Sequence, residues 1–447
     1  MPPHWSTRQT RTGAHHVGRR RTRWSHAVAA VALLGSAVAC GGGESGTPTL
    51  TWYINPDPNP PEGFEGAFGQ AGIAERCSTD RYTIKTELLP GSASEQRIQL
   101  ARRLAADDSS IDLMSLDPVF TAEFSDAEFL EPLTGEDQTT LGEGVLQGAI
   151  DGASWNGELV VAPLWANTQV LWYRKSVTDA AGLDMSQPVT WEQIITAAGD
   201  NGKTVGVQAN KYEGYVVWIN ALIAGAGGSI LTDVDQGSDA TVTIDSEAGT
   251  AAAQVVSQLA SSPAAMPDLS VSNEGTVLDP FGGNSGGFIV NWTFTYNNYA
   301  ADAELLEDIG WVRYPATVEG EQSRPPIGGI NIGIGAFSDD PDLAKEAVAC
   351  MTSEEQQIRY AVETANMPAR EGAYDSAELT EQFPEDLLVL WRESIDSAGP
   401  RPPTPYWSTV VNAVLSGWHP ANSVDPESTP ASSSAFVAEV LSGDALS

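Results

Sequence analysis

Residues 158–175, ELVVAPLWANTQVLWYRK, decide the architecture that the sequence predicts. Two apolar segments, ELVVAPLW and QVLWYRK, form one long apolar region with a short polar interruption. A chain of 447 residues exceeds what one hydrophobic core usually holds, so we expect two lobes. The long apolar region then predicts a strand that runs from one lobe into the other.

The segment before this strand has the pattern of an α/β protein. LTWYIN (50–55), YTIKTELLP (82–90) and IDLMSLD (111–117) read as strands, and a helix is predicted within 64–77. A second helix is predicted in GSASEQRIQLARRLAAD, between the last two strands. Strands that alternate with helices predict a partly parallel sheet.

Two of the predicted helices begin with capping boxes. In one the pair is Ser92 and Glu95, and in the other it is Thr190 and Gln193. Helical spacing in the first helix predicts an apolar face made of Ile98, Ala101, Leu104 and Ala105. These signals predict where both helices start and which side of the first one is buried.

The second half of the chain repeats the alternation with different details. KTVGVQ, GGFIVNWTFTY and IGGINIGIGAF (327–337) read as strands, the last one rich in glycine. GYVVWINALIAGAGG and DPDLAKEAVACMTS read as helices. The sequence contains no internal repeat and no apolar run long enough to span a membrane. The predicted fold class is therefore α/β with two lobes.

The beginning of the chain has the composition of a secretory signal peptide. Residues 1–39 contain six arginines and no acidic residue, and a short apolar stretch over 27–39 follows the arginines. Small residues precede Cys40, which places this cysteine at the processing site, and residues 40–48 read as a flexible tether. We therefore predict an exported protein.

Charge and histidine content exclude several classes of function. The chain holds 59 acidic and 23 basic residues, a formal net charge of −36, which repels nucleic acid. Thirteen tryptophans argue for a packed core rather than a disordered acidic chain. Four of the five histidines lie in residues 1–39, which leaves His419 and argues against a histidine-rich zinc site or a Ser–His–Asp triad. We expect no metal and no cofactor.

Two cysteines are left after Cys40 in a chain that is exported to an oxidising environment. Cys77 and Cys350 form a disulfide, or they are buried thiols too far apart to join. The sequence leaves both alternatives open.

Polar residues follow three predicted strands. Asn55 ends the first strand, Asp117 ends LMSLD, and Asn167 follows VAPLWA. In open α/β sheets, ligands bind outside the carboxyl ends of strands, so these three are candidate binding residues. The alternative is that each is a cap or turn residue, since Asn and Asp favour both positions.

Aromatic residues flank polar residues in the same regions: Trp165, Trp172, Trp218, Trp292, Tyr296 and Trp407. A sugar stacks its C–H face on an aromatic ring and offers hydroxyls to polar side chains, although most tryptophans are core residues. Trp292, in the polar segment NWTFTYNN, is the best candidate for stacking. Arg401 sits in a proline-rich loop suited to a fixed guanidinium, and IGGI (327–330) allows close backbone approach.

Several segments occur in the order seen in a known family. They include IDLMSLDPVFTAEFSDAEFLEPL, GELVVAPLWANTQVLWYRKS, TWEQI, GGFIVNWTF and GGINIGIGAFSDDPDLAKEAVACMTSEEQQ. The chain resembles the solute-binding lipoproteins of carbohydrate ABC importers, and within them the trehalose-binding branch of mycobacteria and related actinobacteria. The resemblance implies a maltose-binding-protein-like (type II) fold with hinge strands and a ligand cleft between the lobes. It also implies lipidation of Cys40, which would anchor the protein to the outer face of the cell membrane.

The resemblance also implies a set of sugar-binding residues and a division into domains. The set is Asn55, Glu62, Gln96, Arg97, Asp117, Asn167, Tyr215, Glu274, Trp292, Gly329, Ile330 and Arg401. The division places lobe 1 in 49–165 plus 312–338 and lobe 2 in 166–311 plus 339–447. The implied protein is a monomer that binds a disaccharide, with trehalose favoured, and delivers it to the permease subunits of an ABC importer.

Other classes of function stay open on the sequence. The chain could bind a maltose-type oligosaccharide instead of trehalose. A secreted glycoside hydrolase would need two carboxylates about 5–10 Å apart, and a chain with 59 acidic residues offers many such pairs. A surface adhesin would use the tryptophans to hold glycans without closing on a disaccharide.

Overall fold

The computed structural model describes residues 46–61 and 63–446, and the long strand expected from 158–175 is present in it as Ala162–Arg174. The strands are β1 Thr49–Ile54, β2 Thr83–Leu88, β3 Leu113–Leu116, β4 Ser154–Trp155, β5 Glu158–Leu159, β6 Ala162–Arg174, β7 Thr204–Gly206, β8 Leu231–Thr232, β9 Thr241–Val242, β10 Gly286–Trp292, β11 Ile309–Val312 and β12 Ile327–Ile334.

The α-helices alternate with these strands. They are α1 Gly69–Cys77, α2 Ala93–Leu104, α3 Thr121–Asp126, α4 Gly135–Gly142, α5 Gln147–Gly152, α6 Lys175–Ala181, α7 Trp191–Asp200, α8 Glu213–Gly225, α9 Glu247–Ser261, α10 Leu278–Gly282, α11 Thr295–Tyr299, α12 Ala303–Asp308, α13 Pro341–Met351, α14 Glu354–Thr364, α15 Ala377–Gln382, α16 Glu385–Asp396, α17 Trp407–Trp418 and α18 Thr429–Leu441. None of these helices is long and apolar enough to cross a bilayer.

Strand β6 belongs to both halves of the main sheet, whose strand order is β2-β1-β3-β12-β6-β10-β7. Its first part, up to Thr168, pairs antiparallel with β12, and β12 continues to β3, β1 and β2. Its second part, from Gln169, pairs antiparallel with β10 and β11, and β10 is parallel to β7. The predicted two-lobe α/β fold is confirmed, and β6 connects the two lobes.

Burial explains why β6 lacks an alternating pattern. Residues 162–172 are buried, because helices or strands cover both faces of the strand. Helix α8 is likewise apolar on most of its circumference, and Tyr215–Ile223 are buried in it. Both elements are core elements of the lobes.

Both predicted N-caps begin their helices where expected, and the full capping box, with both reciprocal bonds, forms at Thr190 and Gln193. Ser92 Oγ accepts a hydrogen bond from the N–H of Glu95, and Thr190 Oγ1 accepts one from the N–H of Gln193. The predicted apolar face of α2 is wrong at Ile98, which is 46 % exposed, and at Ala105, which is exposed and follows the last residue of the helix. Helix α2 buries Gln96, Leu100 and Leu104, a face at spacing four that keeps Leu104 of the predicted set.

The structure joins Cys77 of α1 to Cys350 of α13, so the disulfide alternative is the one that the fold realises. Helices α13 and α14 pack against α1, and α13 also contacts β12. The division of residues between the lobes stays a prediction. This packing favours counting 341–364 with lobe 1, where α1 and β12 lie, rather than with lobe 2. The predicted signal peptide and Cys40 lie outside the described residues.

Removing the disulfide should lower stability without changing the fold. The bond joins residues with a sequence separation of 273, so its loss raises the conformational entropy of the unfolded chain. We expect Cys77→Ala/Cys350→Ala to lose about 2–5 kcal/mol in the free energy of unfolding, measured by urea titration under oxidising conditions. Each single variant should lose a similar amount. A double variant with unchanged stability would contradict the prediction.

Candidate functional site

A cleft of about 610 Å³ lies between the two lobes. It is lined by residues after β1 and β3, by the middle of β6, by the end of β10, by part of β12 and by the start of α8. The cleft contains nine of the twelve residues predicted to bind sugar: Asn55, Gln96, Asp117, Asn167, Glu274, Trp292, Gly329, Ile330 and Arg401. Residues far apart in the sequence thus meet at one place.

The other three predicted residues are not in the described cleft lining. Arg97 forms an ion pair with Glu123. It points away from the cleft, because adjacent residues of a helix lie about 100° apart and Gln96 is the one that lines the cleft. Tyr215 is fully buried in α8, and its hydroxyl donates to the carbonyl oxygen of Trp418 at 3.0 Å. The predictions for these two residues are therefore not supported by their positions. Glu62 lies outside the described residues.

An ion cluster around Arg401 joins the lobes. Arg401 Nη2 donates to Asp117 Oδ1 at 2.8 Å, and Nη1 donates to Glu213 Oε1 at 2.7 Å. Asp117 follows β3 of lobe 1, whereas Glu213 begins α8, which packs on α9 and α17. The side chains of Arg401 and Glu213 are only 4 % and 3 % exposed. The loop that carries Arg401 thus holds one guanidinium between carboxylates of different lobes.

The electrostatics of this cluster are set by burial. Burial raises the pKa of Glu213, Arg401 opposes that shift, and the neighbouring Asp117 carboxylate adds to it. Burial lowers the pKa of Arg401, but Asp117 and Glu213 raise it by more, so the guanidinium is charged. One positive charge is therefore shared by two carboxylates.

A third carboxylate of the cleft, that of Glu274, lies on the loop before α10. Tyr212 donates its hydroxyl to Glu274 Oε2 at 2.6 Å. Burial raises the pKa of Glu274, and Asp117 adds to this shift. Burial and the Glu274 carboxylate also raise the pKa of Tyr212 well above its ordinary value, so the phenol is a hydrogen-bond donor at neutral pH.

Asn167 lies in β6 close to the point where the strand changes lobes. Its Oδ1 accepts hydrogen bonds from the backbone N–H of Thr168 at 2.9 Å and from Oγ1 of Thr293 at 2.7 Å. Its Nδ2 donates to Oδ1 of Asn366 at 3.0 Å. Most of the hydrogen-bonding capacity of this side chain is thus used within the protein, although it borders the cleft.

The network continues into lobe 1. Asn366 Nδ2 donates to the hydroxyl of Tyr360 at 3.3 Å, and that hydroxyl donates to Asp57 Oδ1 at 2.7 Å. Asp57 follows β1 and also accepts from the N–H and Nε2 of Gln70. By contrast, Oδ1 of Asn55 is buried and has no hydrogen-bond partner among the described residues. Asn55 thus lines the cleft with one acceptor that has no partner in the described part of the chain, whereas the hydrogen bonds of Asn167 are made largely within the protein.

Two tryptophans present surface to the cleft. Trp292 ends β10, and its ring lies over Gly328, where a Cβ atom would come within 2.8 Å of the ring. Trp165 lines the cleft and stacks on Tyr360 with ring centroids 4.7 Å apart. The other candidate tryptophans are fully buried core residues: Trp172, Trp218 and Trp407.

The backbone conformation at position 329 requires glycine. Its φ is +128°, and a Cβ atom would lie 2.1 Å from the carbonyl oxygen of Trp165. The β6–β12 register shifts directly after Ile330. Glycine is therefore required by the strand pairing itself, and the same close approach brings the backbone of β12 to the cleft.

Sequence reasoning missed several cleft residues, which include Asp57, Tyr212, Glu213 and Asn366. The strand-end rule that identified Asn55 could have identified Asp57, two positions later. Glu213 had a weaker signal as an acidic residue in the first turn of an apolar helix. For Asn366, the sequence offers no signal, because its place in the cleft depends on the packing of α14 against α1.

The chain is similar to known proteins over much of its length. A family described as bacterial extracellular solute-binding protein matches residues 60–358. A probable ABC transporter-binding protein of Deinococcus radiodurans is 22 % identical over 315 residues, 68 % of this chain and 72 % of that protein. A mannitol-binding protein of Pseudomonas aeruginosa is 29 % identical over 98 residues, 22 % of each chain.

Solved structures share the fold. Maltose-bound MalE3 of T. maritima has a TM-score of 0.75 and 22 % identity, covering 89 % of this chain and 100 % of that one. The GacH receptor of Streptomyces glaucescens, described without ligand and with acarbose, has a TM-score of 0.73 and 20 % identity, covering 89 % and 99 %. These likenesses establish the maltose-binding-protein-like fold that the sequence predicted.

Breaking the Arg401 cluster should destabilise the protein strongly. We expect Arg401→Met to lose about 3–5 kcal/mol in the free energy of unfolding, because the buried Glu213 and the partly buried Asp117 lose their counter-charge. Arg81→Met is the matched control, since Arg81 pairs with Glu346 on the surface and its loss should cost below about 1 kcal/mol. Equal losses in the two variants, measured by urea titration, would contradict the role of the buried cluster.

The raised pKa of Glu213 predicts a pH dependence of stability. The folded-state pKa lies above the ordinary value of 4.5, so the stabilising effect of the neutral carboxyl is lost as pH rises above 4.5. Glu213→Gln keeps a neutral group, and its stability relative to the wild type should therefore improve from pH 4 to pH 7. Glu378→Gln, on an exposed face of α15, should show no such trend.

Proposed function

This chain belongs to the family of bacterial extracellular solute-binding proteins, and we propose that it captures a disaccharide, with trehalose favoured, for an ABC importer. The family consists of binding proteins, so the chain is not an enzyme, and its place is outside the cytoplasm. A lipid on Cys40 would hold it at the membrane, close to the permease subunits that receive the sugar.

The observation that carries the proposal is the composition of the interlobe cleft. The faces of Trp165 and Trp292 suit the C–H faces of sugar rings, whereas the carboxylates and amides around them suit hydroxyls. The volume of about 610 Å³ accommodates two sugar rings rather than a polymer. Because both lobes supply lining residues, a ligand that contacts both favours the closed form.

A maltose-type oligosaccharide is the second candidate ligand. It is favoured by the structural likeness to the maltose-bound MalE3 of T. maritima. Trehalose is favoured by the resemblance of the sequence segments to the trehalose-binding branch. Calorimetric titration against trehalose, maltose, maltotriose and mannitol distinguishes the candidates. Tight binding of another sugar without binding of trehalose would exclude the trehalose assignment, and absence of binding to every sugar would exclude the proposed function.

The hydrolase hypothesis has little support in the cleft. Asp117 and Glu213 both face Arg401, which holds them as hydrogen-bond acceptors. Hydrolysis needs two carboxyl groups on either side of the glycosidic bond, whereas these two converge on one guanidinium. Incubation with trehalose and maltose should therefore release no glucose at catalytic rates.

The stacking role of Trp292 gives a direct test of the cleft. Trp292→Ala should weaken disaccharide binding roughly tenfold to a hundredfold, because the sugar loses an apolar face of contact. Trp155→Ala is the matched control, since Trp155 lies in the β4–β5 hairpin and does not line the cleft. Circular dichroism checks that both variants fold. Equal affinity of the Trp292 variant and the wild type would place the sugar elsewhere.

A further inference from the structure

The cleft carries more negative than positive charge. Its lining includes four carboxylates, Asp57, Asp117, Glu213 and Glu274, and one cationic side chain, Arg401. Among the described residues that line it, lysine and histidine do not occur. Carboxylates also accept hydrogen bonds from the hydroxyls of a neutral sugar, so the ligand is inferred from which carboxylate oxygens lack a donor within the protein.

One of these carboxylates is satisfied by neutral donors. Asp57 accepts hydrogen bonds from the N–H of Gln70 at 2.7 Å, from Nε2 of Gln70 at 3.0 Å and from the hydroxyl of Tyr360 at 2.7 Å. These bonds fix Asp57 in the wall of lobe 1. Its charge contributes to the potential in the cleft, although its oxygens are largely occupied.

The other three carboxylates share one cation and few neutral donors. Arg401 is shared by Asp117 and Glu213, and Glu274 receives one hydrogen bond from Tyr212. Asp117 Oδ1 also accepts from the N–H of Val119 at 3.1 Å, and Glu213 Oε1 accepts from Nε1 of Trp407 at 3.4 Å. Among the described residues, no other residue donates to Oε2 of Glu213 or to Oε1 of Glu274. Glu213 accepts through Oε1, and Glu274 accepts the hydroxyl of Tyr212 through Oε2. Two carboxylate oxygens at the cleft therefore lack a donor.

These carboxylates are near enough to influence one another. The charge of Asp117 raises the pKa of Glu213 and of Glu274, in addition to the larger effect of burial. Like charges repel each other more strongly in a cleft from which water is partly excluded. A ligand group that is positively charged and donates hydrogen bonds would reduce that repulsion. An ammonium group offers three donors and a positive charge at once, whereas a hydroxyl offers one donor and no charge.

We propose that the cleft selects its sugar by charge and binds a disaccharide that carries an amino group more tightly than the neutral disaccharide, while it rejects anionic sugars. The inference rests on the proposed function, because it concerns the same cleft and the same size of ligand. The ammonium group lies beside Glu213 and Glu274 and supplies their missing donor. A phosphate or uronate group meets carboxylates there, and Arg401 is already occupied. The formal net charge of −36 further disfavours the approach of anions.

Calorimetric titration at pH 7 with a matched set of ligands tests this inference. The set contains trehalose, a trehalose monophosphate and the amino-deoxy derivatives of trehalose. Each derivative carries an amine in place of one hydroxyl, and these positional isomers are called amino isomers below. If another neutral disaccharide binds better than trehalose, the same substitutions are made on that sugar. We expect the best amino isomer to bind about tenfold tighter than the neutral sugar. The phosphate should bind more than about a hundredfold more weakly.

The outcomes separate the inference from the proposed function. If the neutral sugar binds but no amino isomer binds more tightly, or the phosphate binds equally well, charge selection is wrong and disaccharide capture stands. If neither neutral nor amino disaccharides bind, the proposed function fails and the inference fails with it.

A pair of variants locates the effect in the cleft. Glu274→Gln removes one of the carboxylates and should reduce the ratio of amino-sugar affinity to neutral-sugar affinity by about tenfold. Glu378→Gln removes the same formal charge from an exposed helix outside the cleft and should leave the ratio unchanged. If the ratio of amino-sugar to neutral-sugar affinity is the same in the two variants, any preference comes from the overall charge of the protein. The assignment to Glu274 would then be wrong.

Discussion

The structure depends on one strand that takes part in two half-sheets. Strand β6 exchanges hydrogen bonds with β12 up to Thr168 and with β10 and β11 from Gln169 onward, so a change at this point alters both lobes. Asn167 stands next to the exchange and bonds to Thr293 on one side and Asn366 on the other. The lobes can change their relative orientation about this strand only if that buried polar network adapts, because its unpaired members would cost free energy. The network therefore defines the preferred arrangement of the strand.

The ion cluster complements this connection on the far side of the cleft. Arg401 contacts carboxylates that follow β3 and begin α8, and the N–H of Glu213 also donates to Ser94 Oγ at the start of α2 at 3.3 Å. These contacts require that the lobes lie close together, so the described arrangement is a closed one. Opening would expose the carboxylates to water, which offsets part of the lost attraction. A ligand that adds contacts to both lobes then shifts the population towards closure by its differential affinity.

The sequence predicted element positions well and side-chain directions less well. Strand ends identified Asn55 and Asp117, and the apolar run identified β6, because both follow from local patterns. The differences lie on helices: the resemblance implies Arg97 together with Gln96, whereas only Gln96 lines the cleft, and it implies Tyr215, whereas Tyr212 and Glu213 line the cleft. One position along a helix changes the direction by about 100°, and only the packing of that helix fixes which side faces the cleft. The disulfide stayed open for the same reason, since it depends on how α13 meets α1.

Stability alone does not account for the carboxylates of the cleft. A buried carboxylate without a full set of donors costs free energy, and a glutamine of nearly the same shape would avoid the charge repulsion around Asp117. Helix α8 and the loop before α10 place such groups at the one surface where a ligand enters, whereas Asp57 in the wall behind it is fully hydrogen-bonded. The oxygens of Glu213 and Glu274 that have no donor from another described residue thus belong to side chains that line the cleft. A ligand that donates hydrogen bonds to these oxygens stabilises them, and a ligand that also carries a positive charge stabilises them most.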